Sequence, residues 1–314
     1  MKLRKNLKRL KGDASPRIFF RNKKINASSI IVHANEDKRL NLLIYDAINK
    51  ILIKNNILAP KLLSENYLKN YIEIKDFGNQ TIFSFLKKKK INKLIIFKKI
   101  IDLLVKIQLI RQRKIKDFKR KNYKIPTYHS KIILDEAKLF SDWYLKRVLT
   151  TSQQVAFKKK FIKVIKNLIK NLNLKNNIFV HRDFHVSNLM MVKNKIGVID
   201  TQDALIGNKA YDLASLIDDV RFKTSENLKK KVFDYYLKSQ KKINKKHFKN
   251  DFEIISVLRN LKIIGIFTRL AVRDKKKKYL RLIPYTWNLI RLRSKNNDKF
   301  NNLNDLLNTI KKNK

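Results

Sequence analysis

The chain has no cysteine, and its 314 residues include only five glycines and four prolines. Without cysteine it forms neither a disulfide scaffold, nor a thiolate nucleophile, nor a zinc site built on thiolates. So few glycines and prolines exclude a collagen-like protein. Five histidines leave little material for a histidine-rich metal centre.

Acidic residues are also scarce: 25 Asp and Glu stand against 75 Lys and Arg, which gives a formal net charge of +50. Hydrophobic residues still make up 44% and aromatic residues 10% of the chain, too much apolar material for a disordered polycation. A chain of this length can bury the core of one large domain or of two modest ones. We therefore expect a folded, strongly basic protein.

A charge of this size suggests at first a surface that binds nucleic acid or an anionic membrane. The cations are spread over the whole chain, however, and runs such as Lys87–Lys90 and Lys275–Lys278 lack interleaved aromatic residues on which bases stack. Lysine, asparagine and isoleucine are abundant together, which indicates an A/T-rich coding bias. We expect a solvated basic surface that attracts nucleotides but is not dedicated to nucleic-acid binding.

The sequence has no long uninterrupted hydrophobic run. Its most apolar long segment, Ile254–Val272, contains Arg259, Lys262 and Arg269, so it predicts a buried helix with charged edges rather than a membrane span. The segment Met1–Gly12 is basic but lacks the apolar core and cleavage site of a secretory signal. We expect a cytoplasmic monomer.

Hydrophobic periodicity divides the chain into two parts. Residues 1–77 contain short β-branched runs and one helical stripe; the predicted elements are strands at Ile18–Phe20, Ser29–His33, Lys61–Leu63 and Tyr71–Ile74, and a helix at Glu36–Lys54. Helical patterns prevail in residues 78–314, interrupted by predicted strands at Ile178–Val180, Asn188–Val192 and Lys195–Asp200. We expect an α+β protein with a small β-rich lobe over residues 1–77 and a large, mainly helical lobe over residues 78–314.

The few glycines have distinct predicted roles. Gly12, Gly78, Gly197 and Gly207 fall at predicted turns, where a positive φ or the close approach of a ligand favours glycine. Gly265 lies inside a predicted helix, where glycine lowers stability unless a neighbour packs closely. We expect tight helix packing at Gly265.

The clearest chemical signal follows the predicted strand Ile178–Val180. Phosphoryl transfer requires a base that positions the acceptor and oxygen ligands for a divalent ion. Asp183, directly after the strand, can accept a hydroxyl proton, and Asn188 supplies a hard oxygen ligand for Mg²⁺. Asp200, at the end of the next hairpin, completes such a metal site. The alternative is that these are polar loop residues placed there by chance.

The pattern continues beyond Asp200 into the next helix, and here the sequence resembles a known family. That family comprises the aminoglycoside phosphotransferases and choline kinases, which have a two-lobed, protein-kinase-like fold. The family pattern H-x-D-x-x-x-x-N, I-D, G and D-L is met by His181, Asp183, Asn188, Ile199-Asp200, Gly207 and Asp212-Leu213.

Within the family the resemblance is greatest to bacterial kinases that phosphorylate the anomeric hydroxyl of N-acetylmuramate and N-acetylglucosamine in cell-wall (peptidoglycan) recycling. It extends from about residue 12 to about residue 290. The stretches that carry it are Gly12–Ser15, Phe20-Arg21, Asp76–Gly78, Ile199–Ala204, Gly265–Leu270 and Arg273-Asp274.

The resemblance implies a role for each matched residue. Asp183 would be the catalytic base, and Asn188 and Asp200 would hold Mg²⁺ on the phosphates of ATP. His181 and Asp212 would support the catalytic loop, His181 by packing rather than by carrying a proton. The nucleotide-binding residues would be Gly12, Ser15, Arg17, Ile74 and Asp76, with the hinge that contacts adenine at Ile74–Gly78. The acceptor pocket would include Gln202, Asp203 and Arg269.

The sequence departs from the kinase pattern in two places. Protein kinases bind the phosphates with a lysine on the third strand, but Ile30–His33 has none, and a neutral histidine is a poor substitute. Arg17, Arg21 or Lys38 can supply that charge, and the sequence does not choose among them. Thr201 replaces the aromatic residue that commonly follows the metal-binding Asp.

We expect an enzyme, an ATP- and Mg²⁺-dependent kinase that phosphorylates the anomeric hydroxyl of an amino sugar. One alternative is a phosphotransferase for an aminoglycoside, choline or another amino alcohol, although such cationic acceptors require an acidic pocket that a charge of +50 does not suggest. Another is a non-catalytic protein that binds nucleic acid or an anionic surface, against which the intact set of Asp183, Asn188 and Asp200 argues. The expected partners are the sugar and ATP, with no membrane.

Overall fold

A computed structural model describes residues 7–10, 17–23, 25, 27–88 and 90–312. Gly12 and Ser15, predicted to bind nucleotide, lie outside the described residues. The chain forms two compact units, the first comprising Met1–Pro126 and Ile178–Leu205 and the second Thr127–Asn177 and Ile206–Lys314. These units are a different division from the predicted lobes 1–77 and 78–314, and the lobe boundary stays a prediction.

The first unit contains a five-stranded antiparallel sheet with the strand order β1-β2-β3-β5-β4. Its strands are β1 (Leu7–Arg9), β2 (Ile18–Lys23), β3 (Ser28–His33), β4 (Leu62–Asn66) and β5 (Tyr71–Lys75). Alternate apolar residues of β3 and β5 face helix α1 (Leu40–Lys54), as the period of two in strands requires. The resulting core comprises Val32, Ala34, Leu42, Tyr45, Ile72 and Ile74.

The rest of the first unit carries the segment with the catalytic motif. Its elements are α2 (Ile82–Leu86), α3 (Lys93–Gln108), β6 (Lys114–Lys116), β7 (Asn122–Lys124), β8 (Ile178–Val180), β9 (Leu189–Val192) and β10 (Lys195–Val198). β9 and β10 form an antiparallel hairpin. Two backbone hydrogen bonds tie this hairpin to earlier parts of the unit, from Val198 to Leu58 at 2.9 Å and from Met191 to Gln80 at 2.8 Å.

The described part of the second unit is mainly helical. Its elements are α4 (Ser130–Leu139), a π-helical turn (Phe140–Tyr144), α5 (Thr151–Lys170), α6 (Tyr211–Ile217), α7 (Glu226–Lys238), α8 (Lys245–Val272), α9 (Ile283–Ser294) and α10 (Asn301–Lys312), with a short strand β11 (Leu205–Gly207) that begins at the end of the first unit. Most of α8 is buried on all sides, so its hydrophobic residues follow no single stripe.

A buried ion pair joins three helices of the second unit. Asp218, fully buried just after α6, lies 3.2 Å from the Lys229 ammonium on α7 and 2.8 Å from Arg293 Nε on α9. Ser256 on α8 donates a further hydrogen bond to Asp218 at 2.6 Å. Burial alone raises the pKa of this carboxyl, but the charges of Arg293 and Lys229 outweigh burial and lower the pKa to about 2.

Two glycines are required by close packing rather than by turns. A Cβ atom at Gly265 in α8 would lie 2.2 Å from the backbone carbonyl carbon of Leu139, so only glycine allows this approach, as predicted. Gly197, predicted at a turn, lies inside β10, where a Cβ would lie 2.9 Å from the ring of Phe77. Gly207 likewise lies in β11. The prediction of turns at Gly197 and Gly207 was wrong, because both residues lie within short strands.

The predicted fold class is confirmed, since an antiparallel sheet and a largely helical part share the chain. In the ranges that the structure describes, no helix combines the length and hydrophobicity needed to cross a membrane. Ile254–Val272 is the C-terminal part of α8 and is largely buried in the second unit, which confirms the predicted buried helix.

Candidate active site

The segment between β8 and β9 forms a tight loop that carries Asp183 and Asn188. The three residues of β8 are all buried, and they fix the beginning of the loop. The His185 amide donates to the Asp183 carbonyl at 3.0 Å, and the Asn188 amide donates to the His185 carbonyl at 2.9 Å. Asp183 itself is half-buried. These bonds hold the carboxylate of Asp183 at the start of a structured turn.

Hydrogen bonds connect this loop to the segment that carries Asp200. The Ile199 amide donates to the Asn188 carbonyl at 3.0 Å, and His181 Nε2 lies 3.0 Å from the Ile199 carbonyl. Asn188 Nδ2 donates to the Asp183 carbonyl at 3.1 Å, which leaves its oxygen Oδ1 as the end that can bind a cation. The three motif residues therefore belong to one hydrogen-bonded arrangement in the first unit.

Two residues of this arrangement have left-handed backbone conformations. Arg182 has a φ of 76° and Asp200 a φ of 62°, although neither is glycine. Such conformations cost of the order of 1–3 kcal/mol and are common at functional sites. Aspartate tolerates a positive φ better than most residues. The side chain of Asp200 in this conformation is 35% exposed, so solvent reaches its carboxylate.

The Asp200 carboxylate is paired with Arg17, the residue before β2. Arg17 donates from Nη2 to Asp200 Oδ1 at 2.5 Å and from Nη1 to Gln202 Oε1 at 2.7 Å. Its side chain is only 3% exposed. The guanidinium lies 5.5 Å from the ring centre of Phe19 and 5.7 Å from that of Tyr45, within the range of cation–π contacts.

Helix α1 holds the chain at Asp200 and at the residue that follows it. Tyr45 hydrogen-bonds with the backbone of Asp200 and with Asn49, and its burial raises the pKa of the hydroxyl to about 12. The Thr201 hydroxyl donates to Asn49 Oδ1 at 2.7 Å, and Thr201 is fully buried. Where the family commonly has an aromatic residue, this chain therefore has Thr201, which hydrogen-bonds to α1.

The predicted hinge has its own charged network. Arg21 Nη2 donates to Asp76 Oδ1 at 3.0 Å and to the Gly78 carbonyl at 2.9 Å. Asp76 also accepts from Ser28 at 2.8 Å. Burial tends to raise the pKa of Asp76, but the hydrogen bonds from Arg21, Ser28 and the Gly78 amide hold it below its ordinary value. The side chain of Asp76 shapes the hinge, while Ile74 lies in β5, paired with Ile30 of β3.

Comparison of the chain with known proteins identifies its family. A model of the "Phosphotransferase enzyme family" matches residues 6–244, a span that includes every motif residue described above. The chain belongs to this phosphotransferase family. The prediction of the family, and with it the prediction of a phosphotransferase enzyme, is confirmed.

Individual relatives of this phosphotransferase agree with that assignment. The N-acetylmuramate/N-acetylglucosamine kinase of Neisseria meningitidis serogroup B is 28% identical over 89% of this chain and 83% of its own length. Among solved structures, a choline/ethanolamine kinase family protein from Mesorhizobium loti has a TM-score of 0.62 at 11% identity, with 96% and 92% of the two chains covered. The ADP-bound aminoglycoside phosphotransferase APH(2'')-Ib has a TM-score of 0.60 at 16% identity, covering 92% and 95%. The protein-kinase-like fold is confirmed.

Two predicted acceptor residues of the phosphotransferase lie beside Asp200. Gln202 donates to Asp203 at 2.6 Å, and Asp203 lies 3.7 Å from Arg182 Nη1. Burial and the nearby charge of Asp203 raise the pKa of Tyr123, on β7, to about 12. Tyr123 did not stand out in the sequence because β6 and β7 are too short to show a period.

The other predicted residues lie in the second unit or serve packing. Arg269 is half-buried on α8, where burial and the charge of Arg273 lower the pKa of its guanidinium. Asp212 is buried in the first turn of α6. His181 is fully buried and packs edge-on against Phe184, which favours a packing role. The functions assigned to these residues stay predictions.

The residues at the motif suit a magnesium ion held together with a nucleotide. In the described ranges, no group of three or more His, Cys, Asp or Glu residues is arranged to hold a metal. Mg²⁺ in phosphoryl-transfer sites needs only one or two protein oxygens, because phosphates and water complete its shell. The Asp200 carboxylate already attracts a cation, the Arg17 guanidinium, and Asn188 Oδ1 is a second hard oxygen.

Tyr45 and Asn49 are site residues that the sequence analysis missed. They are four residues apart on α1, and both are buried next to the apolar stripe of the helix. The sequence feature that could have indicated them is a pair of polar residues four positions apart within the buried face of the helix. Side chains at this spacing are neighbours on a helix surface. Their partner, the segment at Asp200, lies about 150 residues further along the chain.

Proposed function

We propose that this phosphotransferase transfers the γ-phosphate of ATP to the anomeric hydroxyl of N-acetylmuramate and N-acetylglucosamine, with Mg²⁺ as cofactor. The observation that carries the proposal is the kinase motif held in one hydrogen-bonded arrangement around Asp200. The acceptor is supported by the relative from Neisseria meningitidis, named for these two sugars and matched over most of both chains. A cytoplasmic monomer stays a prediction.

The chemistry assigned to the chain is modest, as phosphoryl transfer requires mainly positioning and charge stabilisation. The Asp183 carboxylate accepts the proton of the anomeric hydroxyl. The sugar oxygen then bonds to the γ-phosphorus, the bond from that phosphorus to the bridging oxygen breaks, and ADP leaves with the bond electrons. Bound Mg²⁺ supplies positive charge to the phosphates, and Asn188 and Asp200 are the residues that would hold it.

Specificity for the acceptor involves charge. N-acetylmuramate carries a lactyl carboxylate, whereas aminoglycosides and choline are cations. Arg269 on α8 is a cation whose Nε is buried and has no hydrogen-bond partner among the described residues. Burial and Arg273 lower its pKa, so a carboxylate ligand would relieve an unfavourable environment. As a predicted acceptor residue, Arg269 would favour a sugar that carries a carboxylate over a cationic amino alcohol.

The experiment is a measurement of ADP release with four acceptors: N-acetylmuramate, N-acetylglucosamine, choline and kanamycin. We expect turnover with both amino sugars. Asp183→Asn removes the base and is expected to lower kcat by about 10²–10⁴-fold without unfolding the protein. Asp135→Asn, the same change at an exposed position on α4, serves as the matched control. Turnover with choline or kanamycin alone, or full activity in Asp183→Asn, would contradict the proposal.

A further inference from the structure

The nucleotide site of the proposed function lacks the lysine that protein kinases carry on the third strand, and the structure distinguishes the three cations that were considered as replacements. Lys38 has a half-exposed ammonium that pairs with its neighbour Asp37 at 3.1 Å. Arg21 is engaged in the hinge by Asp76 and Gly78. In the part of the chain that the structure describes, Arg17 is the candidate whose guanidinium contacts Asp200.

The position of Arg17 does not depend on Asp200 alone. The rings of Phe19 and Tyr45 lie beside the guanidinium, and Gln202 accepts one of its hydrogen bonds. Cation–π and amide contacts persist whatever anion the guanidinium faces. Arginine also suits the task chemically, because its planar fork binds carboxylate and phosphate oxygens with the same geometry.

The Asp200 carboxylate, in contrast, can pair with either of two cations, the Arg17 guanidinium or a divalent metal ion. It is 35% exposed, so a divalent ion can reach it, yet Arg17 holds one of its oxygens at 2.5 Å. A metal ion that binds Asp200 therefore competes with the guanidinium for negative charge. Once the metal neutralises the carboxylate, the buried charge of Arg17 requires another anion.

We propose that Arg17 is an exchangeable counter-ion, which neutralises Asp200 in the ligand-free protein and pairs with the phosphates of the nucleotide when a divalent ion occupies Asp200. Arg17 is in this sense a positioning residue that couples two binding events. Coupling of binding is reciprocal, so the nucleotide strengthens metal binding by the same factor by which the metal strengthens nucleotide binding.

The proposal predicts shifts of opposite sign when the guanidinium is removed. In Arg17→Met, Mn²⁺ no longer competes with a cation, so its affinity for the ligand-free protein is expected to rise about tenfold. The affinity for ADP is expected to fall about 10- to 100-fold, because a charge-assisted contact with the phosphates is lost. The factor by which ADP strengthens Mn²⁺ binding becomes smaller than in the wild type.

The experiment titrates Mn²⁺ by electron paramagnetic resonance and ADP by calorimetry, with and without the other ligand, in the full chain. Arg17→Lys keeps the charge but not the fork, and we expect it to fall between the wild type and Arg17→Met. Lys38→Met is the matched control, since it removes one cation of the same unit that does not contact Asp200, and both affinities should stay unchanged. Should Arg17→Met fail to fold, Arg17→Gln and Arg17→Lys carry the comparison.

Unchanged or weaker Mn²⁺ binding in folded Arg17→Met or Arg17→Gln, which both remove the positive charge, would overturn the proposal, because a purely structural role would not strengthen Mn²⁺ binding. Equal ADP affinity in wild type and Arg17→Met would also overturn it. Absence of ADP binding in the wild type would overturn the nucleotide site of the proposed function and this proposal together. The measurement uses no sugar, so a failure to phosphorylate amino sugars leaves its result intact.

Discussion

Asp200 and Asp218 each pair with an arginine, but their surroundings differ in every other respect. Asp218 is fully buried in the second unit and has Lys229, Arg293 and Ser256 as partners. Asp200 is about one-third exposed, has a positive φ, and shares its carboxylate with Arg17. Removing a buried carboxylate from its cationic partners destabilises a fold because their charges are left uncompensated, whereas an accessible carboxylate in a strained backbone remains available to a ligand.

Neutralising Asp200 should produce the largest effect, and the effect should be on activity. In Asp200→Asn we expect kcat/KM to fall by at least about 10²-fold, because a metal-binding charge is lost. The free energy of unfolding should fall by about 1–2 kcal/mol, less than at Asp218, since asparagine still accepts the bond from the buried Arg17 and tolerates the positive φ. Kinetics and urea unfolding of the same preparation measure both. A strongly destabilised but active variant would reverse the roles of the two aspartates.

Neutralising Asp218 should produce the opposite result. Asp218→Asn leaves Lys229 and Arg293 with an uncompensated positive charge, and we expect a loss of about 3–5 kcal/mol in the free energy of unfolding. Activity at a temperature where the variant remains folded should change little. Urea unfolding provides the measurement, with the exposed change Asp135→Asn as control. Wild-type stability in Asp218→Asn would show that the buried network contributes nothing.

Acid should reveal the contribution of Asp218 to stability through the protonation of its carboxylate. The folded-state pKa of Asp218 is about 2, below its ordinary value of 3.8, so its contribution to stability is complete above about pH 4 and is lost as the pH falls towards 2. The loss is of the order of 2 kcal/mol. Unfolding measured between pH 2 and 5 should therefore have a steeper pH dependence in the wild type than in Asp218→Asn. Equal slopes would contradict this assignment.

The smallest effect concerns the anchoring of the segment next to Asp200. Thr201→Val removes the hydroxyl that donates to Asn49, and the Asn49 oxygen is then buried without its donor. We expect a loss of about 1–2 kcal/mol in stability. KM for ATP should rise because Asp200 is less firmly positioned, and Thr201→Ser, which keeps the hydroxyl, should restore both quantities. Equal behaviour of the Val and Ser variants would show that the hydrogen bond is irrelevant.

Sequence periodicity predicted the larger elements well because burial of one face determines them. The strand Ser29–His33 and the helix Glu36–Lys54 correspond to β3 and to a short 3₁₀ turn followed by α1. Within residues 78–314, where helical patterns prevail, the short strands β6 and β7 after α3 were not predicted. Three-residue strands contain too few alternations to be detected. Helix α10 was not singled out, although its buried residues Leu303, Leu306, Leu307 and Ile310 have helical spacing.

Predicting the site depended on which residues are neighbours in sequence. Asp183, Asn188 and Asp200 belong to one loop and one hairpin, so their spacing was sufficient to indicate the chemistry. Arg17 and Asp200 are 183 positions apart, and only the folded chain brings them into contact. The sequence offered Arg17, Arg21 and Lys38 as substitutes for the missing lysine, and the proposal of Arg17 rests on its contact with Asp200 in the folded chain.

The most direct test of the central claim is a ³¹P NMR spectrum of the wild-type protein incubated with ATP, Mg²⁺ and N-acetylmuramate. We predict loss of the γ-phosphate signal of ATP and a new phosphomonoester signal coupled to the proton on the anomeric carbon of the sugar. The same product class should form from N-acetylglucosamine and be absent with Asp183→Asn. Intact ATP with both sugars, or a phosphate on any other sugar carbon, would contradict the account.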